Sequence, residues 1–316
     1  VNIPHEKNYG HVPVLLNEVL DALAPQSGKI YVDATLGAGG HTEAILEKSG
    51  PDGLVFGIDQ DPVALNIAKN RLERFGARFQ ALKGNFSQIA GLLPPQAKLV
   101  TGGILADIGV SSMQLDTEER GFSFMKEAPL DMRMSPDNPL TAADVVNTYS
   151  EGDLVRIFSE YGEEHLSRTI AREIAAQRTR EPFTTTTQLG EFIAHLYKSR
   201  GKQEKIHPAT RVFQALRIEV NDELGSLQRF LESLPDMLAP GARIAVITFH
   251  SLEDRLVKRF FQEQSRDCVC PPRFPVCQCS HRATLKSFGK PVQASPEEIR
   301  ANPRARSAKL RVATRV

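Results

Sequence analysis

The sequence has no apolar run of the roughly 18–20 residues that a bilayer span requires. Its first residues lack a basic segment followed by an apolar stretch. A transmembrane helix and a secretory signal are therefore not expected, and a cytoplasmic protein is the reading left. Internal repeats and long low-complexity tracts are also missing, which argues against a solenoid. Cysteine is scarce: all 4 lie between Cys268 and Cys279, so no disulfide framework can run through the chain. A large net charge is absent as well, 39 Lys/Arg against 38 Asp/Glu leaving +1. Taken alone, that balance argues against a nucleic-acid partner.

The distribution of charge argues the other way. Arg168 to Arg217 holds 10 Lys/Arg and 4 Asp/Glu, and Arg282 to Val316 holds 9 and 2. Segregation of this kind can build a basic face on a near-neutral protein. The 316 residues suffice for one large or two smaller domains, and 41% apolar content is ordinary for a full globular core.

The most informative stretch is Val32-Asp33-Ala34-Thr35-Leu36-Gly37-Ala38-Gly39-Gly40-His41. The apolar run Ile30 to Val32 predicts a strand that reaches an acid and breaks into a glycine turn, with a helix over Thr42–Lys48. A second strand, Leu54 to Ile58, ends in Asp59, at the spacing where a carboxylate meets the ribose hydroxyls of a bound nucleoside. Two cofactors compete for such a unit. A dinucleotide enzyme carries G-x-G-x-x-G, but here the sixth position is Thr42, not glycine. An acid immediately before the turn, here Asp33, is typical of S-adenosylmethionine (SAM) enzymes, where it supports the turn or receives the cofactor's ammonium. The residues favour SAM over NAD.

Further strands are expected at Arg78–Leu82 and Gly103–Ala106, the latter ending at Asp107, and the βαβαβ alternation predicts a parallel, doubly wound α/β sheet. An opening helix is expected over His11–Leu23. From about Asp116 to His207 the pattern is helical only, with helices at Thr141–Asn147, Ser150–Glu160, Glu164–Arg178 and Thr186–Ser199. This predicts a helical insertion over 116–207 within a discontinuous domain of 1–115 and 208–316. A stripe from Phe213 to Leu238 at 3–4 residue steps predicts one long core helix, kinked or ended at Gly225 or Pro235, whose apolar face would serve a homodimer as readily as a core. The sheet resumes at Arg243–Phe249, and Lys309–Val316 alternates as an antiparallel edge strand does.

Ligands of open α/β sheets bind beyond the carboxyl ends of the strands. That rule gathers Gly37, Gly39, Gly40, His41, Asp59, Phe86, Asp107 and His250, with Phe86 offering a face to adenine. The loop after the fourth strand, including Ser111 and Ser112, faces the methyl acceptor if the enzyme is a methyltransferase. Cys268, Cys270, Cys277 and Cys279, followed by His281, form two Cys-x-Cys pairs. Because this is not the usual C-x₂-C spacing, the favoured reading is a metal-free, proline-rich loop of reduced thiols, with a four-thiolate zinc site as the alternative.

The residues also form ordered blocks: His11–Leu16, Asp33–His41, Asp107–Asp116, Arg120–Phe124, Pro129–Met134, Arg211–Ile218, Thr248–Asp254 and Asn302–Ser307. In these the chain resembles the MraW/RsmH family of SAM-dependent methyltransferases, which modify the exocyclic amine of a cytidine in small-subunit (16S) ribosomal RNA. The resemblance implies a Rossmann-like class I methyltransferase fold, with SAM contacts at Gly39, Gly40, His41, Asp59, Phe86, Asp107 and Gln114. It implies 16S ribosomal RNA, within the small subunit, as partner, and an insertion that recognises it. The tetrad Asp107-Ile108-Gly109-Val110 departs from the [Asp/Asn/Ser]-Pro-Pro-aromatic of enzymes that methylate exocyclic amines of DNA. A DNA amino-methyltransferase is thereby disfavoured. An assembly protein with a vestigial pocket is the third reading, opposed by the intact Asp33, glycine turn and Asp59. Within the leading one, Asp107 is the expected catalytic residue. Phe122, Phe124 and Phe249 are stacking candidates for a flipped base, and Arg120, Arg133, Arg211 and Arg217 are phosphate candidates.

Overall fold

A computed structural model of the chain describes residues 13–111, 117–201, 206–271, 274 and 276–316. It divides into two compact units, one made of the chain up to Ile108 with Gln228–Val316, the other of Gly109–Leu227.

The first unit is built on one sheet. In chain order its strands are β1 (Ile30–Asp33), β2 (Leu54–Asp59), β3 (Phe79–Lys83), β4 (Gly103–Asp107), β5 (Arg243–Thr248), β6 (Leu285–Ser287), β7 (Val292–Gln293) and β8 (Lys309–Arg315). They lie in the order β3-β2-β1-β4-β5-β8-β6, with β7 also on β8. The first five are parallel, in the register Asp33 beside Gly57 on one side and Leu105 on the other. The Rossmann-like methyltransferase fold implied by the sequence is the one found.

Local chemistry explains the boundaries. Strands β1 and β4 are almost wholly buried, as near-continuous apolar runs covered on both faces should be. Helix Pro62–Leu72 starts where Asp61 Oδ1 accepts the Val63 amide at 2.9 Å with proline at its first position. The opening helix spans Leu16–Leu23; positions 11 and 12 of the expected helix lie outside the described residues. Just before it, the Leu15 amide donates to Glu298 Oε1 at 2.6 Å, on helix Pro296–Ala301.

Two expectations need correction. Strand β8 is antiparallel as expected but is not an edge, because β6 and β7 pair along its far side. The stripe from Phe213 to Leu238 is two helices, Ala209–Asn221 and Glu223–Met237, broken at Asp222 with φ 47°. Its apolar residues Val220, Leu227, Leu231, Leu234 and Leu238 are buried within the chain and Leu224 is half-buried, so most of that stripe serves the core.

The second unit is helical. Helices Ala142–Thr148, Glu151–Glu160, Ser167–Gln177, Thr186–Ser199 and Ala209–Asn221 share one core in which Leu154, Phe158, Ile170, Ile193, Val212 and Leu216 are buried. Helix Ala209–Asn221 therefore packs with the helical unit, although the sequence places it after the insertion. Ser150 caps its helix as expected, accepting the Asp153 amide at 3.1 Å.

Candidate active site

The strand ends of the first unit bring acids together around the glycine turn. Asp33, at the end of β1, is buried; its Oδ2 accepts the Thr42 hydroxyl at 2.7 Å and its Oδ1 the Thr35 amide at 3.2 Å. Burial, and then the charge of Asp59, push its carboxyl up to about 6 against the pull of those two bonds. Asp33 thus supports the turn. Asp59, at the end of β2, accepts the Gly37 amide at 2.8 Å through Oδ2 and the Asp61 amide at 2.8 Å through Oδ1. Burial raises its pKa as well, opposed by those bonds. A carboxylate has about four acceptor sites, so Asp59 retains capacity to accept further hydroxyl donors.

Gly39 caps helix Gly40–Lys48 at φ 81°, a left-handed conformation that favours glycine. A Cβ there would lie 3.0 Å from Leu72 Cδ1. His41, in the first turn, is buried and holds Nε2 3.0 Å from the Val14 carbonyl, which can only accept. Nδ1 therefore faces Asp107 Oδ2, 4.0 Å away.

Asp107 ends β4, its own amide donating to Thr35 Oγ1 at 2.6 Å. Its side chain keeps 26% of its surface exposed, yet Oδ1 is sealed and has no hydrogen-bond partner among the described residues. Desolvation, then the charges of Asp33 and Glu253, push it up to about 8. Glu253 is fully buried under the end of β5. Its Oε2 accepts the amides of Phe249 and His250 at 2.8 and 3.3 Å, and its Oε1 lies 3.0 Å from His250 Nε2, outside hydrogen-bond geometry. Phe86 follows β3 and packs edge-on against Phe230 at 5.5 Å. Among the described residues no lysine or arginine is paired with Asp33, Asp59, Asp107 or Glu253.

This donor set fits a cation. Acids gathered at these strand ends, with no lysine or arginine paired to them among the described residues, disfavour an anionic pyrophosphate and favour an ammonium or sulfonium, whose charge would draw the proton off Asp107. Thr42 fills the position where a dinucleotide fold has glycine, and its hydroxyl is spent on Asp33.

The other predicted residues are placed less simply. Gln114 and Ser112 lie outside the described residues, while Ser111 is described and partly buried. Phe249 packs against the core of the first unit. In the second unit, Phe122 and Phe124 pack on the helical core, and Phe124 stacks on His207 with centroids 4.4 Å apart. Arg120 donates to the carbonyls of Arg133 and Met134, both at 2.9 Å. Arg133 forks onto Asp131 at 3.0 and 2.8 Å, and Arg217 onto Glu223 at 2.7 and 2.8 Å. Arg211 lies on helix Ala209–Asn221. Sequence reasoning passed over Thr35, Thr42 and Glu253. The clue to Glu253 was its place three residues after the helix cap, but the cap is His250 rather than serine or threonine.

The doubly wound sheet with its glycine turn and strand-end acids defines a SAM-dependent methyltransferase of Rossmann-like fold. Residues 8–316 match the model of the MraW methylase family, and the chain belongs to that family. It is 51% identical to the ribosomal RNA small subunit methyltransferase H of Heliobacterium mobile over 310 residues, 98% of this chain and 99% of the relative. It is 52% identical to the protein of the same name from Carboxydothermus hydrogenoformans, over 98% of both chains.

Proposed function

We propose that the protein transfers a methyl group from SAM to the exocyclic N4 amine of a cytidine in small-subunit (16S) ribosomal RNA, in the cytoplasm. The observation that carries the cofactor half is the set of acids, Asp33, Asp59, Asp107 and Glu253, without a lysine or arginine partner among the described residues. Names borne by relatives at about half identity along the whole chain support the RNA half. Gly37, Gly39, Gly40, His41, Asp59, Phe86 and Gln114 are assigned to the cofactor, with Asp33 bracing the turn. Bound SAM supplies an electrophilic methyl on a cationic sulfur.

The cytosine amine is a weak nucleophile because its lone pair is delocalised into the ring. Attack on a sulfonium methyl requires in-line approach at about 3–3.5 Å. Asp107 accepts an amine hydrogen and raises electron density on N4 as the N–C bond forms and the S–C bond breaks. N4 then carries a surplus proton, acidic enough to leave to Asp107 or water. The base must leave its stack to reach the strand ends. His250, at the end of β5, and the loop carrying Ser111 and Ser112 are assigned to its surroundings. The helical unit, continuous in chain with Asp107, is assigned to RNA recognition through the excess of Lys/Arg between Arg168 and Arg217.

The test is methylation of small subunits from a strain lacking the gene, with SAM labelled in its methyl group, followed by nucleoside mass spectrometry. Label in N4-methylcytidine at one position is expected. Label in another nucleoside, or only in DNA offered in parallel, overturns the proposal.

A further inference from the structure

Cys268, Cys270, Cys277 and Cys279 lie in the connection between helix Ser251–Gln264 and β6, at the far end of that helix from His250. Their spacing favoured a metal-free loop. The structure instead brings all four Sγ atoms within 4.8 Å of one another. Cys277 and Cys279 are 3.7 Å apart at sulfur, and Cys268 and Cys279 3.8 Å. Four thiolates at about 2.3 Å from a tetrahedral ion have sulfur–sulfur edges of about 3.8 Å. All four cysteines are free.

Packing does not explain the convergence. Free cysteine is ordinarily among the most buried residues, but here two of the four are exposed and two half-buried. The neighbouring apolar side chains Val269, Phe274 and Val276 are exposed too, so no core gathers the thiols. The backbone is arranged around sulfur instead. The amides of Val269, Cys270 and Gln278 donate to Sγ of Cys279, Cys268 and Cys270 at 3.4, 3.4 and 3.3 Å. Such donors orient ligating thiolates and offset their charge. Pairing through Cys-x-Cys puts two sulfurs on each arm of the loop, and the arms meet at one point.

We propose that these four cysteines bind one zinc ion as a closed, four-thiolate structural site. With four protein ligands, no position stays open for water or substrate, so the ion's work is to close a loop that has no apolar core of its own. Each thiol gives up its proton on binding, and no electron is transferred. The site is independent of the cofactor residues.

The experiment uses the full chain purified under reducing conditions without chelator. Metal analysis should find about one zinc per chain, and cobalt(II) exchanged into it should show the near-ultraviolet charge transfer and visible d–d bands of tetrahedral thiolate ligation. The double variant Cys277→Ser, Cys279→Ser should lose the zinc while still binding SAM. Should that variant fail to fold, cobalt titration of the unaltered chain decides. The proposal is overturned if the reduced chain takes up neither zinc nor cobalt and all four thiols alkylate at once. It is equally overturned if the metal persists in the serine variant, or if the metal-free cysteines are found as two disulfides in freshly purified protein.

Discussion

Thr42 Oγ1 donates to Asp33 Oδ2 across 2.7 Å, from the first turn of a helix back to the end of the strand before the glycine turn. The bond uses the position that a dinucleotide fold gives to glycine. Thr42→Val keeps the shape and removes the donor, leaving a buried carboxylate oxygen short of a partner at a cost of about 1–3 kcal/mol. Urea unfolding should register that loss, and calorimetry should show SAM binding weakened by about tenfold. An unchanged affinity would mean that Asp33 does not brace the turn.

Asp107 links stability to pH in an uncommon direction. Its carboxyl is raised to about 8, and that of Asp33 to about 6, against about 3.9 in an unfolded chain. A carboxyl raised on folding contributes its full stability below about pH 4 and loses it as pH climbs through the folded value. The protein without cofactor should therefore weaken between about pH 4 and 8. Asp107→Asn removes most of that slope and should be more stable than the unaltered protein by about 2–4 kcal/mol above pH 8. Methyl transfer should meanwhile fall by about 10² or more. Urea midpoints across pH 4–9 check the first point, and two parallel slopes would refute it.

The same carboxyl makes cofactor binding proton-linked. A cation placed beside Asp107 lowers its pKa, so uptake of SAM at pH 7 should expel up to about one proton. Calorimetry in two buffers of different ionisation enthalpy measures this directly. Identical heats in both buffers would show that Asp107 does not sense the cofactor.

Gly39→Ala tests the turn itself. A side chain at φ 81° with its Cβ 3.0 Å from Leu72 Cδ1 should cost about 1–2 kcal/mol of stability. Its KM for SAM should rise more than its kcat falls, because the change displaces the cofactor's seat and not the acceptor's.

Arg217 separates two roles. Its fork onto Glu223 leaves both side chains largely buried, 17% and 6% exposed. Arg217→Ala strands that carboxylate and should destabilise the protein by about 3–5 kcal/mol. A residue serving phosphate alone would weaken RNA binding and reduce its salt dependence with the melting temperature unchanged.

The parallel strands were legible in the sequence to within a residue or so, because apolar runs ending in Asp33, Asp59 and Asp107 mark three of them. The helices between Ala142 and Ser199 were legible from their periodicity and from caps such as Ser150. The break at Asp222 was not, since the apolar stripe passes through it at unbroken 3–4 residue steps. Strands of three and two residues, at Leu285 and Val292, are too short to carry a period, so β8 read as an edge. Asp33, Asp59, Asp107, Phe86 and His250 lie at or just beyond strand ends as their motifs suggested, but their partners were not legible. That Thr42 serves Asp33, and that Glu253 lies beneath His250, are facts of three-dimensional approach. Arginine pairing was likewise hidden, since Asp131 and Glu223 are unremarkable in sequence.

The contact between the Leu15 amide and Glu298 Oε1 ties residues 283 positions apart. The same short N-terminal segment supplies the Val14 carbonyl that holds His41. Trimming the polypeptide ahead of Pro296 would strand that amide and loosen the segment steadying the histidine. Shortened versions that preserve every strand up to β5 would lose this tie together with β8 from beside β5, and should bind SAM more weakly.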